Sequence, residues 1–467
     1  MRKRLAILLP ALLLLSSCTI TPVPQIPAVN PGATLYLYLQ PMPQEAQQLS
    51  LTISALNART KDGQDIPLLT EPLQLNPVQN INRQTKLLVT KLAPGEYLGL
   101  SLTIGMATLE SEDGKTALLT ETTPQLIREK FLINSDQAQT LFLTLNPERL
   151  ITAGYRLSAK FSLRKPQPPL PGLKGLVSHP TSGTLTVFEK KTPTVVSILA
   201  VGRRPAGLAL DQPARKAYLA LSGENSIAVI DLVQEQIQRK VRLQSADQPE
   251  HLALSSDGRS LIVTNPGSNS VSIIDTDSLS ERERILFSTR PAAVFTGTNG
   301  QRAYVILPEA NTLATVDLSR AALIASTNLA ETPLHGTADN RGQQLYLLTE
   351  DSPNLLVVNA ENLTIVSRIF IGYGARCLAL NKNNGLVYIG MVNGDVAVVD
   401  PQVGLPIDGF RTGKQIIDIV PDLEENSLFI LTGKDQQLEK YDLVSKKRVA
   451  VLELSAAGYE MIVMGEK

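Results

Sequence analysis

The second half of the chain repeats itself at a nearly constant period, and this repeat constrains the fold more than any other feature. An acidic or amide residue ends one strand of each unit, at Glu189, Asp231, Asp275, Asp317, Asn359, Asp400 and Asp442. The intervals between these residues are 42, 44, 42, 42, 41 and 42. Short apolar strands separated by turn residues at this period predict the four-stranded blades of a β-propeller.

One unit shows the pattern most clearly. Its inner strand follows Pro249, its second strand reads LIVTN (261–265), and its third reads NSVSIID (269–275). The last two segments resemble the YVTN-type β-propeller repeat family, and the resemblance covers residues 174–467. The Asp at the end of each third strand is expected to bind backbone N–H groups of the following turn. The glycines at 258, 300, 342 and 385 are expected to adopt positive φ in hairpins.

The first and last repeat units are incomplete in a complementary way. Residues 174–200 supply three strands, at 175–178, 184–189 and 195–200, and residues 459–464 supply one more. The sequence therefore predicts seven blades in a ring that is closed by pairing of the terminal strands. Such closure removes the free sheet edges that invite aggregation.

The N-terminus has the pattern of an export signal. Arg2, Lys3 and Arg4 precede an apolar run at 5–15, which is too short to span a bilayer and fits a signal peptide. The run ends in LSSC at 15–18, which resembles the bacterial lipobox. That resemblance implies a signal peptide over 1–18 and a lipid on Cys18. Stable attachment to a membrane needs at least two acyl chains, which lipoprotein modification would supply.

Two proline-rich stretches divide the mature chain. Residues 19–31 are expected to form an extended tether, and 165–173 a semi-rigid linker. The segment between them, 32–164, carries short strands with apolar alternation, which predicts a β-sandwich. The sequences LAPGEY (92–97) and EDG (112–114) resemble an uncharacterised sandwich domain of bacterial lipoproteins. The whole mature chain is thus expected to be all-β.

The lipid and the charge balance limit the partners. Anchoring through Cys18 implies an exported protein attached to the cell envelope. Because Thr19 follows the cysteine, the expected site is the outer membrane in a Gram-negative cell, and otherwise the outer face of the cell membrane.

The charge balance bears on nucleic-acid binding. The chain has 44 basic and 44 acidic residues, and no long basic run follows the signal. No nucleic-acid partner is therefore expected.

The usual catalytic and cofactor motifs are missing. The chain has no HExxH, no nucleophile elbow, no Walker loop and no paired CxxC, and it lacks the CxxCH that attaches a c-type haem. It also has no Trp, so the Trp-based docking motifs of quinone-dependent propeller dehydrogenases and Trp platforms for sugars are excluded. We expect no cofactor.

One set of equivalent residues is a candidate ligand-binding or partner-binding site. Two positions after the proline of each unit, at the start of the innermost strand, the seven units carry Gly207, His251, Ala293, His335, Cys377, Asp418 and Glu460. The mouth of the central channel would bring these residues together. Their polar members are candidate ligand or partner contacts, and a bound metal is left open. The alternatives are a plain polar channel lining and, for Cys377, a small buried core residue.

Two functions remain open. The first is a non-catalytic binding or scaffold module, with an envelope protein or a glycan as partner. Its candidate contact loops precede the inner strands at 202–205, 245–249, 288–291, 331–333 and 372–375. The alternative is a propeller hydrolase, lactonase-like, that uses a polar or metal-binding channel. A bound metal or a shifted pKa at Asp418, Glu460 or the histidines would favour the enzyme.

Overall fold

The computed structural model describes residues 33–465 except 77–79, 81–82, 112–113, 136, 148–149, 153–154 and 167–172. The predicted signal peptide, Cys18 and the tether lie outside the described residues, as does most of the linker. Among the described residues, no helix has the length and apolarity needed to cross a membrane.

The N-terminal region contains two larger β-sheets. The first has the strand order Lys160–Arg164, Ala138–Asn146, Thr34–Leu39 and Thr85–Lys91. The second is built on the antiparallel pair Leu49–Thr60 and Gly95–Ser111. Shorter strands pair with these two, at Asp65–Pro67, Leu73–Leu75, Gly114–Ala117, Gln125–Ile127 and Phe131–Ile133. The remaining elements are the two-stranded ribbon Ile151–Thr152 with Arg156–Leu157 and the 3-10 turn Gln44–Ala46.

Alternation along Thr34–Leu39 lets this strand serve two cores. Successive side chains of a strand point to opposite faces. Leu35 and Leu37 pack with leucines of the second sheet in one buried cluster. Tyr36 and Tyr38 point the other way, into a cluster shared with the C-terminal region. All six residues of the strand are buried, which explains the unbroken apolar run at this point of the sequence.

Residues 173–465 form a series of four-stranded antiparallel sheets whose strands mostly follow chain order from the axis outward. Sheet 1 contains Pro205–Asp211, Lys216–Leu221, Ser226–Asp231 and Gln236–Arg242. Sheet 2 contains Leu252–Leu254, Ser260–Asn265, Ser270–Asp275 and Ser280–Leu286. Sheet 3 contains Ala293–Thr296, Arg302–Leu307, Thr312–Asp317 and Ala322–Asn328. The 3-10 turns Ser222–Glu224, Pro266–Ser268 and Pro308–Ala310 connect the second and third strands of these sheets.

The pattern continues to the C-terminus. Sheet 4 contains Pro333–Ala338, Gln344–Thr349, Asn354–Asn359 and Ile365–Phe370. Sheet 5 contains Ala375–Leu380, Val387–Met391, Asp395–Asp400 and Leu405–Arg411. Sheet 6 contains Ile416–Asp422, Ser427–Thr432, Gln437–Asp442 and Arg448–Glu453. The closing sheet has the order Thr194–Ala200, Thr184–Glu189, Lys174–His179 and Met461–Val463.

The first strands of successive sheets contact one another around an axis, so the arrangement is a β-propeller. Met461–Val463 pairs antiparallel with Lys174–His179 and contacts the first strands of sheets 6 and 1. The two ends of the repeat region therefore share one sheet. The imidazole of His179, which is fully buried, also donates from Nδ1 to the Ala457 carbonyl at 3.2 Å.

The repeated acidic position makes the turn bonds expected of it. Asp231 Oδ1 accepts the backbone N–H groups of Val233 and Gln234 at 2.8 and 2.9 Å. The same bonds recur at Asp317, Asn359, Asp400 and Asp442. The four hairpin glycines have φ between 67° and 75°. Both predictions are confirmed, and neither feature carries chemistry.

The N-terminal region packs on the rim of the propeller. Gln84 is almost fully buried, and its side-chain amide forms two hydrogen bonds with the backbone of Val195, in the outer strand of the closing sheet. Arg83 forms an ion pair with Glu453 at 2.5 Å, and Lys86 Nζ donates to the Leu454 carbonyl at 2.8 Å. These contacts, together with the aromatic cluster around Tyr38, hold the two regions together.

Candidate functional site

The predicted channel residues lie at the starts of the inner strands, and some of them meet. His251, Asp418 and Glu460 share one neighbourhood, because each affects the proton affinity of another. Gly207 lies between the sheets that carry His251 and Glu460, whereas Ala293 is buried in the core between sheets 3 and 4. Three polar members of the ring, His251, Asp418 and Glu460, therefore lie near one another.

Four side chains form the centre of this cluster. Tyr459 Oη donates to the Glu250 carboxylate at 2.9 Å and lies 3.2 Å from His251 Nε2. On the other edge of the imidazole, Nδ1 lies 3.6 Å from the Glu460 carboxylate. The side chains of His251 and Glu460 are 26% and 24% exposed, so solvent reaches the cluster.

Gly207 brings sheets 1 and 2 close together at this point. Its N–H donates to the Glu250 carbonyl at 2.8 Å. A Cβ on Gly207 would lie 2.4 Å from that oxygen and 2.9 Å from the Cα of His251. Only a residue without a side chain fits here. The glycine that interrupts the polar ring in sequence is thus a packing requirement of the site.

Asp418 lies beside this cluster and links it to the C-terminal strand. One carboxylate oxygen accepts the Met461 N–H at 2.9 Å and the other accepts the Ile419 N–H at 2.9 Å. Burial and the nearby Glu460 charge raise the pKa of Asp418 to about 7, although the two N–H groups oppose this shift. Asp418 is therefore poised to exchange a proton near neutral pH.

The nearby carboxylates also shift the pKa values of His251 and Tyr459. Burial alone would lower the pKa of His251, but the carboxylates of Glu460, Glu250 and Asp418 raise it overall. Burial, assisted by Glu250 and Glu460, raises the pKa of Tyr459, so the phenol stays protonated. An imidazole between a carboxylate and a protonated phenol can pass protons or bind a polar ligand.

His335 and Cys377 are not among these contacting side chains, although the charges of His251 and Asp418 affect them. Burial and the His251 charge lower the pKa of His335 to about 4, and its buried Nδ1 has no hydrogen-bond partner among the described residues. Cys377 packs in the core between sheets 5 and 6, and burial raises the pKa of its thiol. A Cβ on Gly390 would lie 2.8 Å from the Cys377 sulfur, so that glycine makes room for the thiol.

No three His, Cys, Asp or Glu side chains within the described part of the chain are grouped as a metal site would require. The sequence-based candidates therefore divide into a group around Asp418, His251 and Glu460, the half-buried His335, and the buried Cys377.

Sequence reasoning missed Glu250, Tyr459 and Arg376. Each directly precedes a predicted ring residue, and the Arg376 charge affects His335, Cys377 and Tyr459. The signal was available one position earlier in the repeat, where the seven units carry Ala206, Glu250, Ala292, Leu334, Arg376, Ile417 and Tyr459. The register is irregular at the start of four inner strands, at 205–208, 333–335, 375–377 and 416–418.

A second feature lies on the face that carries the predicted contact loops. A groove of about 490 Å³ is bordered by the loop that contains Tyr373, by Met391 and Asp395 of sheet 5, and by its outer strand. Asp395 and Arg411, which are partners on adjacent strands of sheet 5, both line the groove and form an ion pair at 2.7 Å. Tyr373 and Phe370 are 69% and 67% exposed, and they are the exposed aromatic residues within the described part of the propeller.

Comparison with known proteins supports the fold and leaves the function open. No protein-family model matches the chain, and no curated protein matches it.

Solved structures do resemble the chain. A protein of unknown function from Desulfotomaculum acetoxidans DSM 771 is 12% identical with a TM-score of 0.57, and the match covers 63% of this chain and 99% of that protein. Dihydro-heme d1 dehydrogenase NirN in complex with DHE is 15% identical with a TM-score of 0.50, covering 63% and 76%. The β-propeller domain of Cps50 (Swd1) from Myceliophteria thermophila is 13% identical with a TM-score of 0.49, covering 54% and 86%. Likeness at these identities shows the fold alone.

Proposed function

We propose that the chain is an exported lipoprotein, anchored to the cell envelope through a lipid on Cys18, whose rigid β-domains form a non-catalytic binding module. The partner is an envelope protein or a glycan. In this proposal residues 32–164 are a β-sandwich and residues 174–467 a seven-bladed propeller of the YVTN type. Two sheets that share one core support the sandwich, and sheets 1–6 with the closing sheet support seven blades.

The observation that carries the binding role is the groove beside Tyr373. Aromatic residues make up only 4% of the chain, and those of the propeller are otherwise buried or partly buried within the described residues. Exposed aromatic side chains at a concave surface are typical of protein interfaces. This groove lies at one of the predicted contact loops, 372–375.

The binding role is tested by cross-linking and capture from native membranes, with the chain from Thr19 onward as bait. Phe370→Ser and Tyr373→Ser should each abolish recovery of a discrete partner. Val444→Ser is the matched control, because Val444 is 77% exposed in a turn on the opposite face. A partner that is recovered equally well by all the variants would contradict the role of this face.

The anchor is tested separately. Metabolic labelling with a fatty-acid analogue should label the full chain, and Cys18→Ser should remove the label and release the protein from the membrane fraction. Membrane attachment that survives Cys18→Ser would contradict the lipid anchor and leave the binding role untouched.

A second candidate function is favoured by Asp418. A carboxyl with a pKa of about 7, close to a second carboxyl on Glu460, can act as a general acid or base. The predicted lactonase-like activity would then require both carboxyls. Hydrolysis of a lactone panel that is lost in Asp418→Asn, together with a pH-rate curve bending near pH 7, would establish the enzyme.

A further inference from the structure

The loop before sheet 5 departs from the repeat at an exposed position. Tyr373 lies two residues before the inner strand that begins at Ala375, and it is 69% exposed. The equivalent residues of the other loops are polar or small: Arg203, Asp247, Thr289, Glu331, Lys414 and Ala456. The loop therefore does not need an aromatic side chain in order to fold.

Two glycines keep the surroundings of this tyrosine open. Gly372 and Gly374 flank Tyr373, and both have a φ of 90°. No heavy atom lies within 4 Å of the place that a Cβ would take on either glycine. Because a glycine has no side chain, the adjacent residues do not crowd the Tyr373 ring. The ring is thus accessible to a ligand in the groove of about 490 Å³ that it borders.

The same groove holds a second departure from the repeat. Asp395 begins the third strand of sheet 5 opposite Arg411, which ends the outer strand. The paired residues at this position in the other sheets are Ser226 with Arg242, Ser270 with Leu286, Thr312 with Asn328, Asn354 with Phe370, Gln437 with Glu453, and Thr184 with Ala200. Among these described pairs, the one in sheet 5 alone joins an acid to a base. The Arg411 side chain is 81% exposed, and an ion pair this exposed adds little stability.

The charged pair presents oriented hydrogen-bonding groups. Asp395 Oδ1 accepts from Arg411 Nε at 2.7 Å, and Asp395 Oδ2 accepts from the Asn393 amide at 2.9 Å. Each carboxylate oxygen can accept a further hydrogen bond, and within the described residues Arg411 donates through Nε only, so its two Nη groups remain as donors. The groove therefore offers fixed acceptors and donors side by side.

The rest of the groove is apolar or neutralised. Ile371, Met391 and Val396 line it and are each no more than 7% exposed. The other acid of the lining, Asp408, pairs with Lys446 at 2.7 Å. The volume of about 490 Å³ falls within the range of about 300–1,000 Å³ that is typical of small-ligand sites. With its charges paired, the groove suits an uncharged ligand that has both an apolar face and polar groups.

We infer that this groove binds a neutral sugar ring of an envelope glycan, which stacks on Tyr373 and forms hydrogen bonds through its hydroxyl groups with Asp395 and Arg411. This inference rests on the proposed binding function and narrows its partner to a glycan. A pyranose has a face of C–H bonds that can lie against an aromatic ring, and its hydroxyl groups both donate and accept. Since the chain has no Trp, the exposed tyrosine supplies the ring.

A protein side chain is a poorer match for the groove. It would cover Asp395 and Arg411 and remove them from water, and covering charged groups without replacing their hydrogen bonds is costly. A sugar carries hydroxyl groups on most of its ring carbons, so it can replace the water around both side chains.

The test applies the full-length chain, purified in a detergent without a sugar headgroup, to an array of neutral and acidic oligosaccharides. The array includes glycan strands from peptidoglycan and sugar chains from lipopolysaccharide and capsules, which separates these sources. We expect saturable binding to neutral members. In calorimetric titration with a neutral oligosaccharide that binds, Tyr373→Ala and Asp395→Asn should each weaken binding by about tenfold or more. Tyr373→Phe should change the affinity by about twofold or less, because stacking requires only the ring.

The N-terminal region provides matched controls. Tyr155 is 60% exposed there, and Asp65 forms an exposed ion pair with Arg59 at 2.6 Å. Tyr155→Ala and Asp65→Asn should leave glycan binding unchanged. Thermal unfolding of every variant verifies that a loss of binding is not a loss of folding.

Other outcomes overturn the inference in distinguishable ways. Equal affinity of Tyr373→Ala, Asp395→Asn and the wild type would place the glycan elsewhere, and binding of acidic glycans alone would exclude the neutral ring. No glycan binding, together with a protein whose capture from membranes is lost in Tyr373→Ser, would eliminate the glycan and keep the proposed binding function. No glycan binding and no captured partner would count against both.

Discussion

The Asp418 carboxylate accepts the backbone N–H of Met461 at 2.9 Å, and this bond ties sheet 6 to the strand that closes the ring. The next residue on one side, Glu460, approaches His251 from across Gly207. The polar cluster at the channel mouth is therefore also part of the closure of the propeller. Proton exchange at this cluster and attachment of the C-terminal strand are physically linked.

Asp418→Asn should change how stability depends on pH. Asp418 binds its proton more tightly in the folded state, with a pKa of about 7, than in the unfolded chain, where the value is about 3.9. Its contribution is fully present below about pH 4 and is lost as the pH rises to 7. Chemical unfolding of the chain from Thr19 onward should show the wild type losing up to about 4 kcal/mol relative to the variant over this range. Asp435→Asn, an exposed control, should leave the pH profile unchanged. Parallel curves for wild type and Asp418→Asn would contradict the shifted pKa.

Gly207→Ala should destabilise the propeller by about 1–3 kcal/mol, because the added carbon would press against the backbone at Glu250 and His251. The matched control is Gly465→Ala, where no atom lies within 4 Å of the added carbon. Thermal unfolding followed by circular dichroism measures the difference. Equal melting temperatures for the two variants would show that sheets 1 and 2 are free to move apart.

Gln84→Ala should loosen the N-terminal region from the propeller. The change removes both hydrogen bonds to Val195 and leaves its backbone groups without these partners at a buried site, at a cost of about 1–3 kcal/mol. Hydrogen exchange should rise in 194–200, and protease should cut the 165–173 linker faster. Gln238→Ala, an exposed glutamine on the outer strand of sheet 1, is the control. Unchanged exchange in Gln84→Ala would mean that the aromatic cluster alone holds the interface.

Lys190→Met should be strongly destabilising. Lys190 is fully buried in the turn that follows Thr184–Glu189 of the closing sheet, and its ammonium pairs with Asp422 of sheet 6 at 3.2 Å and also with Glu424. Removing it leaves the buried Asp422 carboxylate without its cation, which costs about 3–5 kcal/mol. Its neighbour Lys191 is exposed, so Lys191→Met should change the melting temperature little. Denaturant titration of both variants gives the comparison, and similar midpoints would mean that solvent reaches Asp422.

The sequence predicted a set of equivalent residues and could not say which of them would meet. Register in the repeat predicted that His251, Asp418 and Glu460 lie at the channel mouth, because equivalent residues occupy equivalent places in each sheet. Their contact depends on the small size of Gly207 and on the approach of two non-adjacent sheets, and a linear pattern carries neither. Cys377 followed the same register and is nevertheless buried in the core between sheets 5 and 6.

By itself, the sequence determined the elements whose physics is local. The 42-residue period predicted the propeller, alternation predicted the strands, and the Asp at the end of each third strand predicted its turn, because each depends on residues close together in the chain. Tertiary structure alone decided the rest. It set the pKa of Asp418 through burial among groups from distant sheets, and it gave Tyr36 a second core to fill.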